Sequence, residues 1–268
     1  MRRLGLFFVG LWVASGAVGQ TGATEVRADF KPFYDAYRLE GTFALYDLHK
    51  DHTVLYHPEW YTEAHTPAST FKICNSLIGL ETGVIPDQHY LMKWDGVKRR
   101  VDSWNKDHDL SSAFKNSAVW YYQELARRVG EKRMKEWLDK AKYGNADTSG
   151  GIDQFWLDGG LRISPAQQID FLKRLHENTL PFSARNMAIV KEIMVVKQNA
   201  VCTVRAKTGW GFEGKKMIGW YVGYVETGDN VYIFANRVEG PEENHSDFGK
   251  ARIEITYHIL DTLGIKTE

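Results

Sequence analysis

Two separated parts of the chain carry runs of β-branched and aromatic residues broken by polar turns. Gly41 to Tyr46, the polar turn His49 to Asp51, and Thr53 to Tyr56 predict a β-hairpin. Near the other end, Val201 to Lys207, Met217 to Glu226 and Asn230 to Val238 predict three strands, with a tight turn at Gly228-Asp229 joining the last two. The period then lengthens: Ile253, Tyr257 and Leu260 fall on one face of a helix expected from Asp247 to Leu263.

Between these ends the pattern is helical. Thr66-Pro67 offers an N-cap and a first-turn proline, with Gly83 as the stop. Ser164-Pro165 opens another helix through Ile169, Leu172 and Leu175, and Trp120 to Ala141 supplies one or two more, interrupted near Gly130. The expected fold is therefore α+β, of αβα layering. An antiparallel sheet is assembled from both chain ends (about 41–57 and 201–238) with terminal helices against it, and a mostly helical region (about 66–197) is inserted between. A cleft is expected where sheet and helical region meet. No repeat or linker divides residues 20–268, which read as one domain.

Composition narrows the possibilities. The 268 residues carry 34 basic and 34 acidic side chains, so no global field draws the chain to nucleic acid. With 43% hydrophobic residues and nine tryptophans it buries a large core, which excludes disorder as its main state. Cys74 and Cys202 are too few for a disulfide scaffold and read as two buried thiols, with a single bridge as the alternative. The nine histidines lack the paired spacing of a zinc hydrolase, and no metal is expected.

Residues 1–19 run from Arg2-Arg3 through an apolar stretch, Leu4 to Val18, to the small residues Ser15, Gly16, Ala17 and Gly19. This basic, apolar, small order predicts a secretory signal peptide, since about 15 apolar residues fall short of the ~20 that span a bilayer. The expectation is a periplasmic or secreted protein, without membrane contact after cleavage.

The candidate chemistry begins at Ser69-Thr70-Phe71-Lys72, which sets a hydroxyl and an amine three residues apart on one helix face, the arrangement of a serine nucleophile with a lysine base. The spacing alone does not discriminate, because Ser103 to Lys106 and Ser112 to Lys115 repeat it. Context does: Ser69 opens an apolar helix, and burial is what lowers a lysine from its ordinary pKa near ~10.4 toward a useful base. Lys207-Thr208-Gly209, at the end of a strand-like run, would present a cation and a hydroxyl from a rigid edge, with glycine admitting substrate backbone; alone, it reads equally as a strand end before a turn.

Taken together, the motifs resemble those of the class D serine β-lactamases, within the penicillin-recognising serine enzymes. Pro67 to Lys72 is similar to that class's nucleophile motif, Ser117-Ala118-Val119 to its second, Tyr143-Gly144-Asn145 to its third and Lys207-Thr208-Gly209 to its fourth, in family order. Trp104 to His108, Phe155 to Gly160 and the arginine of Gly249-Lys250-Ala251-Arg252 extend the likeness over nearly the whole chain after residue 20.

The resemblance implies a mechanism and a set of roles. Ser69 is the nucleophile, and Lys72, carboxylated by carbon dioxide, the general base; no other cofactor is implied. The Trp156 indole N–H supports that carboxylate. Ser117 bridges Lys72 and Lys207 and passes a proton to the departing lactam nitrogen, and Val119 keeps the site dry. Backbone N–H groups of Ser69 and Trp210 form the oxyanion hole. Lys207, Thr208 and Arg252 hold the substrate carboxylate, with Gly209 also substrate-binding, Tyr143 and Asn145 shape the loop leading to Trp156, and Trp104 and Leu157 line the cleft. The implied partners are small β-lactams, acted on by a monomer or homodimer. Trp210 to Met217 is expected to form a loop bordering the site. Two rivals share the nucleophile logic: a DD-peptidase, disfavoured by Val119 where related peptidases carry asparagine, and a β-lactam sensor that acylates without turnover.

Overall fold

The computed structural model describes residues 22–242 and 245–268. The expected signal peptide, residues 1–19, lies outside them. Seven strands form one sheet in the order β1 (Ala23–Val26), β3 (His52–Tyr56), β2 (Glu40–Asp47), β7 (Val231–Pro241), β6 (Lys216–Thr227), β5 (Cys202–Glu213) and β4 (Val195–Gln198). Eight α-helices accompany it among the described residues: α1 (Lys31–Asp35), α2 (Lys72–Glu81), α3 (Leu110–Lys115), α4 (Val119–Val129), α5 (Glu131–Ala141), α6 (Pro165–His176), α7 (Ala184–Ile193) and α8 (His245–Thr262). None is long and apolar enough to cross a membrane.

The central strands are apolar on both faces because each face is covered. In β2, Phe43 and Leu45 join a core with α1 and α8, while Ala44 between them joins the core of the helical region. Trp220, Val222 and Tyr224 of β6 likewise face the helical region, and Tyr221 and Val225 face α8. Cys74 and Cys202 are buried free thiols, one in each core, on opposite sides of the sheet.

The predicted hairpin, the three C-terminal strands and the C-terminal helix are present. So are the helix opened by Ser164, which closes a capping box with Gln167, and the break at Gly130, whose φ of 82° divides α4 from α5. Four expectations are corrected. The sheet is mixed: β1, too short to announce itself, pairs with β3 in parallel. Val195–Gln198, inside the expected helical region, is the edge strand β4. Thr66 does not cap the helix that follows it; Pro67 is already helical and takes the cap position, and the helix starts as a 3-10 turn, Ala68–Phe71. Trp210 to Met217 is not a loop: β5 stays paired with β6 as far as Glu213↔Lys216, and Gly214 at φ 61° lets the chain reverse at Gly214-Lys215.

Candidate active site

Ser69 and Lys72 come from the 3-10 turn and the first residue of α2. Thr70 ties this turn down by donating its backbone N–H and hydroxyl to the Pro67 carbonyl, at 3.1 and 2.8 Å. Ala68 sits at φ 46°, a left-handed conformation that costs a residue with a Cβ about 1–3 kcal/mol and is held by its surroundings. Ser69 remains half-buried, whereas Lys72 is completely buried and donates to Ser69 Oγ at 2.8 Å. Burial, with no compensating anion, pushes the Lys72 ammonium down to about 7. Burial also separates the three Ser-x-x-Lys patterns: Lys106 and Lys115 are exposed, and Ser112 is occupied in the capping box of α3.

Lys207 of β5 is the second buried amine. Its pKa is pushed well down by burial and by the nearby Lys72 and Arg252, and its Nζ donates to the carbonyl and hydroxyl of Thr208 at 3.1 and 3.3 Å. Lys207 Nζ lies 5.6 Å from the Phe114 ring centre, and Lys72 Nζ 5.2 Å from that of Tyr122. Phe114 and Tyr122 belong to α3 and α4, so the connection carrying Ser117 lies between the helices that touch the two amines. Ser117 is at φ 55°, and its Oγ is buried without a hydrogen-bond partner. The Trp156 Nε1 is in the same condition, its ring packed on Phe71 and Phe155. Ser117 Oγ and Trp156 Nε1 are thus buried donors without an acceptor, and the buried Lys72 has no carboxylate against it.

Gly209 and Gly211 explain how β5 approaches the nucleophile. A Cβ on Gly209 would stand 2.9 Å from the Pro67 carbonyl oxygen, and one on Gly211 3.1 Å from the Thr66 methyl. The motif glycine thus makes room for the protein's own turn, where the sequence suggested room for substrate backbone. The Ala206 N–H donates to Met194 O, away from β6. By the two-residue period of an unbroken ladder, the Trp210 N–H points to that same edge of β5.

The remaining residues are placed as follows. Arg252 of α8 donates to the Gly209 carbonyl and lies 5.6 Å from the Trp210 ring centre, with burial lowering its pKa to about 10. A cavity of about 770 Å³, bordered by Phe114, Val195, Ile253 and Tyr257, opens onto Lys207 and Thr208. Val119 and Leu157 are half-buried at the start of α4 and beside Trp156. Trp104 braces the approach to Ser117 through its indole bond to Asn116 O at 2.9 Å. Tyr143 and Asn145 stand behind the site. Tyr143 packs against Phe71 and Phe171, and Asn145 bonds Gly160 O and Arg162 N, tying residues 143–147 to the arm that follows Trp156. Sequence reasoning missed Phe114, Tyr122, Glu213 and the real task of Thr66, for which no motif gives a signal.

Residues 31–261 match the penicillin binding protein transpeptidase domain family. The chain is 44% identical to "Probable beta-lactamase YbxI" of Bacillus subtilis over 228 residues, 85% of this chain and 82% of that protein. A class D β-lactamase crystal structure from Sebaldella termitidis superposes with a TM-score of 0.88 at 38% identity, covering 92% of this chain and 100% of that one. The chain belongs to the class D β-lactamase family. The C-terminal domain of the BlaR penicillin receptor from Bacillus licheniformis shares the fold of this class D chain, with a TM-score of 0.86 at 33% identity over 91% of this chain and 98% of that one.

Proposed function

We propose that this protein hydrolyses β-lactams through an acyl-enzyme on Ser69. The observation that carries the reading is the completely buried Lys72, bonded to Ser69 Oγ at 2.8 Å and lacking a counter-ion. Carbon dioxide added to the neutral Lys72 amine, with one N–H proton released to solvent, supplies an N-carboxylate, the anionic base the site otherwise lacks. Ser69 gives up its proton to the Lys72 side chain and its oxygen attacks the lactam carbonyl, whose developing charge the N–H groups of Ser69 and Trp210 receive. The C–N bond breaks as Ser117 hands its proton to the nitrogen, and the proton that the Lys72 side chain took from Ser69 passes back to Ser117, leaving the base free again. Lys207, Thr208 and Arg252 hold the substrate carboxylate, Arg252 through its planar fork. A water, deprotonated at the Lys72 side chain, then cleaves the ester and frees Ser69. Export through residues 1–19 would bring this activity to the periplasm or medium, where it confers resistance.

The likeness to the BlaR receptor supports a second reading, acylation without turnover. Hydrolysis of a chromogenic cephalosporin, with and without bicarbonate, separates the two when paired with mass spectrometry after mixing with penicillin. Multiple turnover stimulated by bicarbonate, and loss of the penicillin adduct in Ser69→Ala, is the expected result. A single stable adduct without turnover establishes the sensor reading instead, and no adduct refutes both.

A further inference from the structure

Thr66 spends every polar group it has on joining three parts of the site. Its N–H donates to Glu213 Oε1 at 2.8 Å, at the end of β5, and its carbonyl accepts from the Trp220 indole of β6 at 2.9 Å. Its buried hydroxyl lies 3.2 and 3.0 Å from the Trp156 and Leu157 carbonyls. Glu213 is fixed in turn by His65 Nδ1 at 2.8 Å and approached by Arg162 Nε at 3.6 Å, while His65 and Ile163 exchange backbone hydrogen bonds of 3.0 and 2.9 Å. Thr66 therefore stands between the sheet, the arm bearing Trp156, and the turn that begins at the next residue and carries Ser69.

The arm has its own anchors on its far side, from Asn145 and Arg162 to the Gly160 and Gly159 carbonyls. On the side nearest the nucleophile, the Thr66 hydroxyl reaches the peptide that carries the orphaned Trp156 indole. An indole N–H aims only as well as its backbone is held, and outer partners of this kind decide how tightly a charged group is bound. We infer that Thr66 is a positioning residue: its hydroxyl holds the Trp156 peptide so that the indole N–H meets the carboxylate on Lys72. This inference rests on the carboxylated-lysine reading above.

Wild-type protein and the variants Thr66→Val, Thr66→Ala and Thr66→Ser, each checked for folding by near-UV circular dichroism, would be titrated with 13C-bicarbonate. The lysine carbamate is read by 13C NMR, with no substrate present. Removal of the hydroxyl in T66V and T66A is expected to raise the bicarbonate concentration for half-carboxylation about tenfold, while T66S, which keeps the hydroxyl, stays within about twofold of wild type. Equal affinity in wild type and either hydroxyl-free variant overturns the inference and leaves the carboxylated lysine standing. A loss in T66S as large as in T66A also overturns it, by assigning the effect to the methyl group. Absence of a carbamate signal in wild type removes the parent reading, and this one with it.

Discussion

The protein buries cations in two regions and treats them in opposite ways. On the helical-region face of the sheet, beside the segment around Glu63, Arg237 of β7 is completely enclosed, yet it pairs with the buried Glu239, reaches Glu63 at 3.3 Å and stacks over Trp60 at 4.7 Å; Lys216 completes the pairing of Glu239. Between sheet and helical region, Lys72 and Lys207 are also buried, and aromatic rings and a few hydroxyl and carbonyl oxygens stand where carboxylates would be expected. A matched charge is structure: it fastens the segment around Glu63 to the sheet. An unmatched one is reactivity, because a buried amine without an anion sheds its proton and becomes both a base and a nucleophile for carbon dioxide.

Substitution should therefore act in opposite directions at the two places. Lys72→Met should lower β-lactam turnover by about 10³-fold or more. In carbon-dioxide-free buffer at neutral pH the same change should raise unfolding free energy by about 2–4 kcal/mol, since it removes an uncompensated buried amine. The pH dependence checks the cause. With its folded value near 7, Lys72 is neutral in the native state where the unfolded chain still holds a proton. Stability should thus be lowest below pH 7 and climb toward the ordinary lysine value near ~10.4. Denaturant melts of wild type and Lys72→Met across that range would show the slope reduced in the variant. Lys207, lowered in the same direction, supplies the remainder.

Arg237→Met should do the reverse. It leaves Glu239 buried with only Lys216, at a cost of about 3–5 kcal/mol, while kcat per folded molecule stays near wild type. Adding Glu239→Leu should recover much of that loss. An Arg237→Met protein that keeps its stability would erase the distinction between the regions. The smallest effect is steric. Gly209→Ala pushes a methyl group against the Pro67 carbonyl, and the displaced nucleophile turn should lower kcat about tenfold and cost about 1–3 kcal/mol of stability.

The legibility of these regions in the sequence also differs. Strands with β-branched runs, the helix start at Ser164-Pro165 and the break at Gly130 were readable because their causes are local. Ser69, Lys72 and the Lys207 motif were readable as chemistry only in combination, since Ser103 and Ser112 repeat the first spacing. Burial, which tells the three apart, is set by how α2, α4 and β5 pack. The strand character of Trp210 to Glu213 was hidden by Gly209 and Gly211, which look like breakers and are spacers against the Ser69 turn. The pairing of Arg237 with Glu63, and of Thr66 with Glu213 and Trp156, joins residues far apart in the chain, and no local pattern carries it.

The central claim concerns the charge on one amine. Lysine-13Cε-labelled protein, with Lys72→Met to assign the resonance, can be titrated by NMR in buffer freed of carbon dioxide. The account predicts that Lys72 titrates near pH 7, well below the ordinary lysine value near ~10.4. A Lys72 midpoint among the exposed lysines would mean that burial does not neutralise it, and the proposed base would have to be sought elsewhere.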